Sequence, residues 1–148
     1  MSFYFAYGSN MNPHRVTERG IGFDRVSAAR APGFQVRFEK RSRLQPEAGH
    51  ANLAYSQSGV AEGVLYRLTD DAQIVKMDPY EGVPVHYSRD SILVETERGS
   101  TWAWTYFANR AVIASDLKPP HWYVAHMAAG EQYLSAEYTA WLRSVECL

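Results

Sequence analysis

The run Phe3-Tyr4-Phe5-Ala6-Tyr7 is apolar throughout and stops at Gly8-Ser9-Asn10. A short, unbroken apolar stretch bounded by turn residues has the pattern of a strand covered on both faces. A chain that begins this way must supply packing layers on either side of its first strand. After Met11 comes Asn12-Pro13, with Asn12 suited to an N-cap and Pro13 to the first helical position. The opening therefore reads as buried strand, tight polar loop, helix. Gly8 permits close approach of a ligand or another backbone. The N–H groups of Gly8, Ser9 and Asn10 can converge on a negative oxygen. An ordinary strand-to-helix turn accounts for the same residues slightly better.

The 148 residues suffice for one domain, residues 1–148, with a substantial core. A net charge of −1 provides no field to draw nucleic acid or an anionic membrane. No stretch approaches the roughly 18 apolar residues of a membrane span. The first residues lack the basic and apolar segments of a secretion signal, so a cytoplasmic protein is expected. The one cysteine, Cys147, leaves no internal disulfide to staple the fold.

Along the chain, a helix is expected over 13–19, ending at Gly20 and Gly22. Strands are expected over 24–31 and 34–40, separated by a Pro32-Gly33 turn, then a polar loop over 41–49. Two further strands, 50–55 and 60–68, flank Gly59, and Glu62 interrupts the alternation of the second. Thr69 can cap a helix that Pro79 ends near Met77, because proline disfavours helical geometry in the residue before it. Strands over 85–97 and 100–107 join through Glu97-Arg98-Gly99, with Trp102, Trp104 and Tyr106 on one core-facing side. Pro119-Pro120 opens a helix to Gly130 with Trp122, Ala125 and Ala129 on one stripe. Ser135 caps a last helix in which Tyr138, Trp141, Leu142 and Val145 recur at helical spacing. The order implies an α+β domain on a mostly antiparallel or mixed, strongly curved sheet.

Among candidate reactive groups, Glu81 stands between Tyr80 and Gly82 in a segment rich in apolar residues and tyrosine. An irregular turn near aromatic rings can desolvate a carboxylate and raise its pKa toward general-base use, although a solvated turn glutamate is commoner. Asp78 reads as a helix-end residue before proline. The five histidines include no H-x-x-x-H pair and no cysteine joins them, so no metal site is expected and each reads as surface or packing. Arg37, Lys40, Arg41 and Arg43 read as a solvated rim. Neither a dinucleotide or phosphate-loop glycine pattern nor a G-x-S-x-G elbow occurs.

Two segments taken together are more specific than either alone. Tyr4-Phe5-Ala6-Tyr7-Gly8-Ser9-Asn10-Met11, followed by Met77-Asp78-Pro79-Tyr80-Glu81-Gly82-Val83 and Tyr87, resembles the γ-glutamylcyclotransferase family. His50-Ala51-Asn52-Leu53-Ala54 and Glu62-Gly63-Val64-Leu65-Tyr66 look like its central strands, and Pro119-Pro120-His121-Trp122-Tyr123 like the segment that brings a further tyrosine to its pocket. The loop over 41–49 carries no part of the resemblance, and Met11 stands where a leucine is commoner. The resemblance implies a curved mixed sheet closing toward a small barrel flanked by helices. It also implies conversion of a small-molecule γ-glutamyl amine or amino acid to 5-oxoproline and the free amine, with no cofactor. On this reading Glu81 shuttles the protons, while Tyr7, Gly8, Ser9, Asn10, Met11, Tyr87 and Tyr123 bind substrate. A binding domain without turnover, and release of a γ-glutamyl protecting group from a biosynthetic intermediate, are the alternatives. A homodimer is compatible with the sequence and not required by it.

Overall fold

A computed structural model describes residues 1–148. Its centre is a closed five-stranded barrel in the order β1-β3-β2-β4-β5, with β1 at Phe3–Ala6, β2 at Phe23–Arg41, β3 at Gly49–Leu68, β4 at Tyr87–Thr96 and β5 at Gly99–Ala108. Every pairing is antiparallel except the closing contact, where Tyr4 of β1 meets Trp104 of β5 in parallel. The curved mixed sheet thus closes on itself and removes its own edges. The short β1 lies between β3 and β5, and Tyr4, Phe5 and Ala6 are all buried. Phe5 also ties the barrel laterally, its carbonyl accepting a 3.0 Å hydrogen bond from the Thr105 hydroxyl.

The strands expected over 24–31 and 34–40 are one 19-residue strand, and those over 50–55 and 60–68 are one of 20 residues. Pro32-Gly33 makes a bulge instead of a turn: register shifts between Pro32 and Phe34, and Gly33 takes φ +87°, which only glycine adopts freely. The bend carries each strand from barrel stave into an arm that ends at the turn over 42–48. Glu62 does not interrupt β3. Its carboxylate accepts from the backbone N–H and the hydroxyl of Ser135, at 2.7 and 2.6 Å, and so anchors the last helix.

Four helices pack around the barrel: α1 (Pro13–Glu18), α2 (Ala72–Glu81), α3 (His121–Ala128) and α4 (Ala136–Ser144). Asn12 caps α1 by accepting from the His14 N–H, and Ser135 caps α4 through Tyr138 N. Asp70, not Thr69, serves the start of α2, its carboxylate accepting from Ala72 N at 2.9 Å. The helix does not end near Met77 but runs through Pro79. Asp78 is held inside by Arg89, whose Nε lies 2.9 Å from Oδ1, and by the Tyr106 hydroxyl at 2.7 Å. A Schellman motif closes the helix at left-handed Gly82: the Gly82 N–H donates to Pro79 O and the Val83 N–H to Asp78 O. Two other packing expectations are corrected. Trp102 is 64% exposed while Tyr106 is buried, because only the second lies beneath α2, where its hydroxyl reaches Ile74 O and Asp78. In α3 the buried stripe is Tyr123 and Met127, with Trp122 and Ala125 turned outward. No helix is long and apolar enough to cross a membrane.

Candidate active site

Where β1 leaves the barrel, the chain folds into a single 3₁₀ turn at Ser9–Met11 that leads through Asn12 into α1. This turn, the end of α2, the arm of β2 and β3, and α3 together enclose a cavity of about 380 Å³. Tyr7, Gly8, Ser9, Asn10, Glu81, Tyr87 and Tyr123 all line it. Met11 does not: it is fully buried in the core, because the turn carries its side chain inward.

Asn10 is the hub of the floor. Its amide donates to the Tyr4 hydroxyl at 2.9 Å and to Glu81 Oε1 at 3.0 Å, while its own Oδ1 accepts from Arg19 Nη1 at 3.0 Å. Its backbone carbonyl accepts from Tyr66 at 2.6 Å. One buried amide thus fixes both a carboxylate and a guanidinium, with its donor and acceptor ends assigned by the charges they meet. Glu81 is half-buried in the last turn of α2, not in the irregular turn expected from the sequence. Desolvation raises its pKa, against the opposing pull of Arg19, Arg15, Lys40 and the Asn10 hydrogen bond. Burial thus gives the carboxylate a higher proton affinity than a solvated glutamate has, even among three cations.

Gly8 is required by close approach. A β-carbon there would lie 2.6 Å from the Tyr123 hydroxyl and 3.3 Å from Ala51 Cβ. The N–H groups of Gly8, Ser9 and Asn10 donate to no backbone carbonyl. The tyrosines are engaged with the barrel mouth: Tyr7 donates to Tyr106 O at 2.6 Å, Tyr87 to Ala51 O at 2.8 Å, and Tyr123 accepts from Ala51 N at 3.1 Å. Burial raises the pKa of all three, pushing Tyr123 up to about 12, so they act as neutral rings and hydroxyls.

Three groups that the sequence did not single out for the site also belong to the cavity. Lys40 is no part of a solvated rim: it is 4% exposed, with its ammonium 5.5 Å from the centre of the Tyr87 ring. Arg43, solvent-exposed as a rim residue is, reaches the cavity mouth from the turn over 42–48. His50 stacks on Tyr123 at 4.6 Å between ring centres. Burial, then Lys40 and Arg15, depress its pKa to about 4 and keep it neutral. Arg15 and Arg19 also line it, and their four-residue spacing just after a capped helix start is the signal that places both on one face.

Residues 4–133 match the family described as gamma-glutamyl cyclotransferase, AIG2-like. The chain is 28% identical to YkqA of Bacillus subtilis (strain 168) over 95% of its own length, and spans about half of that relative, 50%. A solved gamma-glutamyl cyclotransferase structure superposes with a TM-score of 0.86 at 24% identity, covering 99% of this chain and 89% of the other. The crystal structure of YkqA gives a TM-score of 0.83 at 25% identity, covering 99% of this chain and 56% of that one. With its barrel, its Gly8 turn and its Glu81 carboxylate in one matched span, the chain belongs to the gamma-glutamyl cyclotransferase, AIG2-like family.

Proposed function

We propose that the protein cyclises the γ-glutamyl group of a small amide, releasing 5-oxoproline and a free amine, with Glu81 as the proton shuttle. The observation that carries this reading is the half-buried Glu81 carboxylate, held at the cavity floor by Asn10 with its proton affinity raised. The substrate supplies its own nucleophile. Ionised Glu81 accepts a proton from the α-ammonium, and the freed amine attacks the γ-carbonyl to form the ring C–N bond. The ring nitrogen gives up its second proton to solvent, and as the tetrahedral intermediate collapses the exocyclic C–N bond breaks while Glu81 returns its proton to the departing nitrogen; the released amine then takes a proton from solvent. The N–H groups of Gly8, Ser9 and Asn10, which donate to no backbone carbonyl, are suited to grip an oxygen of the glutamyl head, and Tyr7, Tyr87 and Tyr123 to exclude water around the folded chain.

The test is 5-oxoproline release from a panel of γ-glutamyl amino acids, glutathione and γ-glutamyl amines. Glu81→Gln keeps the hydrogen bond to Asn10 within reach and should melt as the wild type does, yet lose roughly 10²–10⁴-fold in turnover. Near-wild-type turnover by that variant removes Glu81 from the chemistry. Binding across the panel with no product from the wild type would leave a binding domain in place of an enzyme.

A further inference from the structure

A second cavity, of about 350 Å³, lies at the end of the barrel where β1, β2 and β5 begin and β3 and β4 finish. It shares no lining residue with the Glu81 cavity, and each of the five strands brings at least one residue to it. The strand register sets its layers. Phe3, Arg67 and Arg25 stand opposite one another across β1, β3 and β2, and residues paired in this way share a face of the sheet. Two residues along each strand, Phe5, Leu65 and Ser27 form the next row on that face, with Phe5 and Leu65 buried. The mouth thus has an apolar floor beside guanidinium groups, and the hairpin tip adds Arg98, Ser100 and Thr101 to the lining.

The three arginines differ in what holds them. Arg67 is committed, its Nε 2.6 Å from Asp24 Oδ1. Arg25 adds to the pull of Arg67 on that carboxylate but forms no ion pair of its own, and neither does Arg98. Glu97 is the one acid in the lining. Three guanidiniums therefore meet two carboxylates, Asp24 and Glu97, and one positive charge is left over at the mouth. A guanidinium fork grips a carboxylate or phosphate through two parallel N–H donors. Barrel mouths of this size, with an apolar lining and a few convergent polar groups, are where small ligands are held. A bare inorganic anion would leave the apolar floor wet, and a neutral apolar molecule would strip water from guanidiniums it cannot pair. We infer that this second mouth binds a small organic anion: a ring or short apolar body, seated on Phe3 and Leu65, that presents a carboxylate or phosphate to Arg25 and Arg98.

The test titrates phenyl phosphate, phenylacetate, inorganic phosphate and benzyl alcohol into the isotope-labelled full chain and follows the backbone amide signals. Phenyl phosphate, phenylacetate or both should shift the amides of Gly99, Ser100 and Thr101, and the tighter of the two identifies the charged group that is read. Inorganic phosphate and benzyl alcohol each lack half of the match and should bind at least tenfold more weakly than that ligand. Arg98→Gln, an exposed change at the hairpin tip, should weaken its binding at least threefold. The Arg25→Gln, Arg98→Gln double variant should weaken it at least tenfold, and if that variant melts early the single change decides. Equal affinity for phenyl phosphate and inorganic phosphate would mean attraction by charge alone and overturns the assignment. Shifts confined to Gly8, Ser9 and Asn10 would put the anion in the Glu81 cavity and overturn it too. So would unchanged affinity in both variants, or the absence of any shift at millimolar concentrations of the two aromatic anions.

Discussion

His50 offers a sharp physical test of the site, because its neutrality comes from surroundings that geometry alone specifies. The ring stacks on Tyr123, meets the Trp122 ring edge-on, and lies close enough to Lys40 and Arg15 to feel both charges. Its pKa falls from 6.5 to about 4 in the folded protein. The unfolded chain therefore binds a proton in the interval where the folded chain does not. His50 thus favours the folded state fully above about pH 6.5, and that contribution is lost as the pH falls toward 4. At about 1.4 kcal/mol per unit of displacement, acidification from pH 7 to pH 5 removes about 2 kcal/mol through this one ring. His50→Phe keeps an aromatic ring against Tyr123 and removes the titration. Urea unfolding of both proteins at the two pH values gives a difference of differences, from which His86 and His126, also lowered by burial, cancel. The variant should lose about 2 kcal/mol less than the wild type over that interval. A loss equal to that of the wild type would refute the burial and charge argument for the whole wall.

The remaining predictions concern how the site is held. Gly8→Ala should drive the Tyr123 hydroxyl from Ala51 N and lower stability by about 1–3 kcal/mol in urea unfolding, since the new β-carbon meets that hydroxyl at 2.6 Å. Asp78→Ala leaves the half-buried Arg89 guanidinium without its carboxylate and the Tyr106 hydroxyl with only its longer bond to Ile74 O, and should cost about 1–3 kcal/mol by the same measurement. Ser135→Ala removes both the cap of α4 and a donor to Glu62, and should lower stability by about 1 kcal/mol. A change near zero in any of these would show that the contact named contributes no net energy.

Local signals were legible wherever the nearest neighbours in sequence decide the outcome. The buried opening strand, the Asn12-Pro13 helix start, the hairpin at Glu97-Arg98-Gly99 and the Ser135 cap all follow from short patterns. The failures lie where a distant contact overrides the local preference. Pro79 should end α2, but Arg89 and Tyr106 hold Asp78 in helical geometry and the turn continues to Glu81. Trp102 and Tyr106 share a face of β5 by period, yet α2 covers only one of them. Lys40 reads as rim in the sequence because a charge in an arginine-rich stretch is usually solvated, and only the fold of the arm brings Tyr87 over it. Local sequence points only to the backbone of Asn10, whereas its side chain joins Glu81 to Arg19 across more than sixty residues of chain, a partnership no periodicity encodes.

The arm formed by β2 and β3 has a further meaning for how such a site can change. Inside the barrel, inserting one residue into either strand would turn every following side chain to the wrong face. At the tip of the arm, between Arg41 and Gly49, the same insertion costs only the slowly growing entropy of a longer loop. That tip contributes Arg43, Leu44 and Gln45 to the cavity wall, while Asn10 and Glu81 stand on elements fixed to the barrel. The molecule thus separates a chemical centre intolerant of length change from a rim whose length and charge can be rewritten at little thermodynamic cost. The composition of the cavity rim can drift through the tip while the Glu81 carboxylate and its Asn10 partner stay in place.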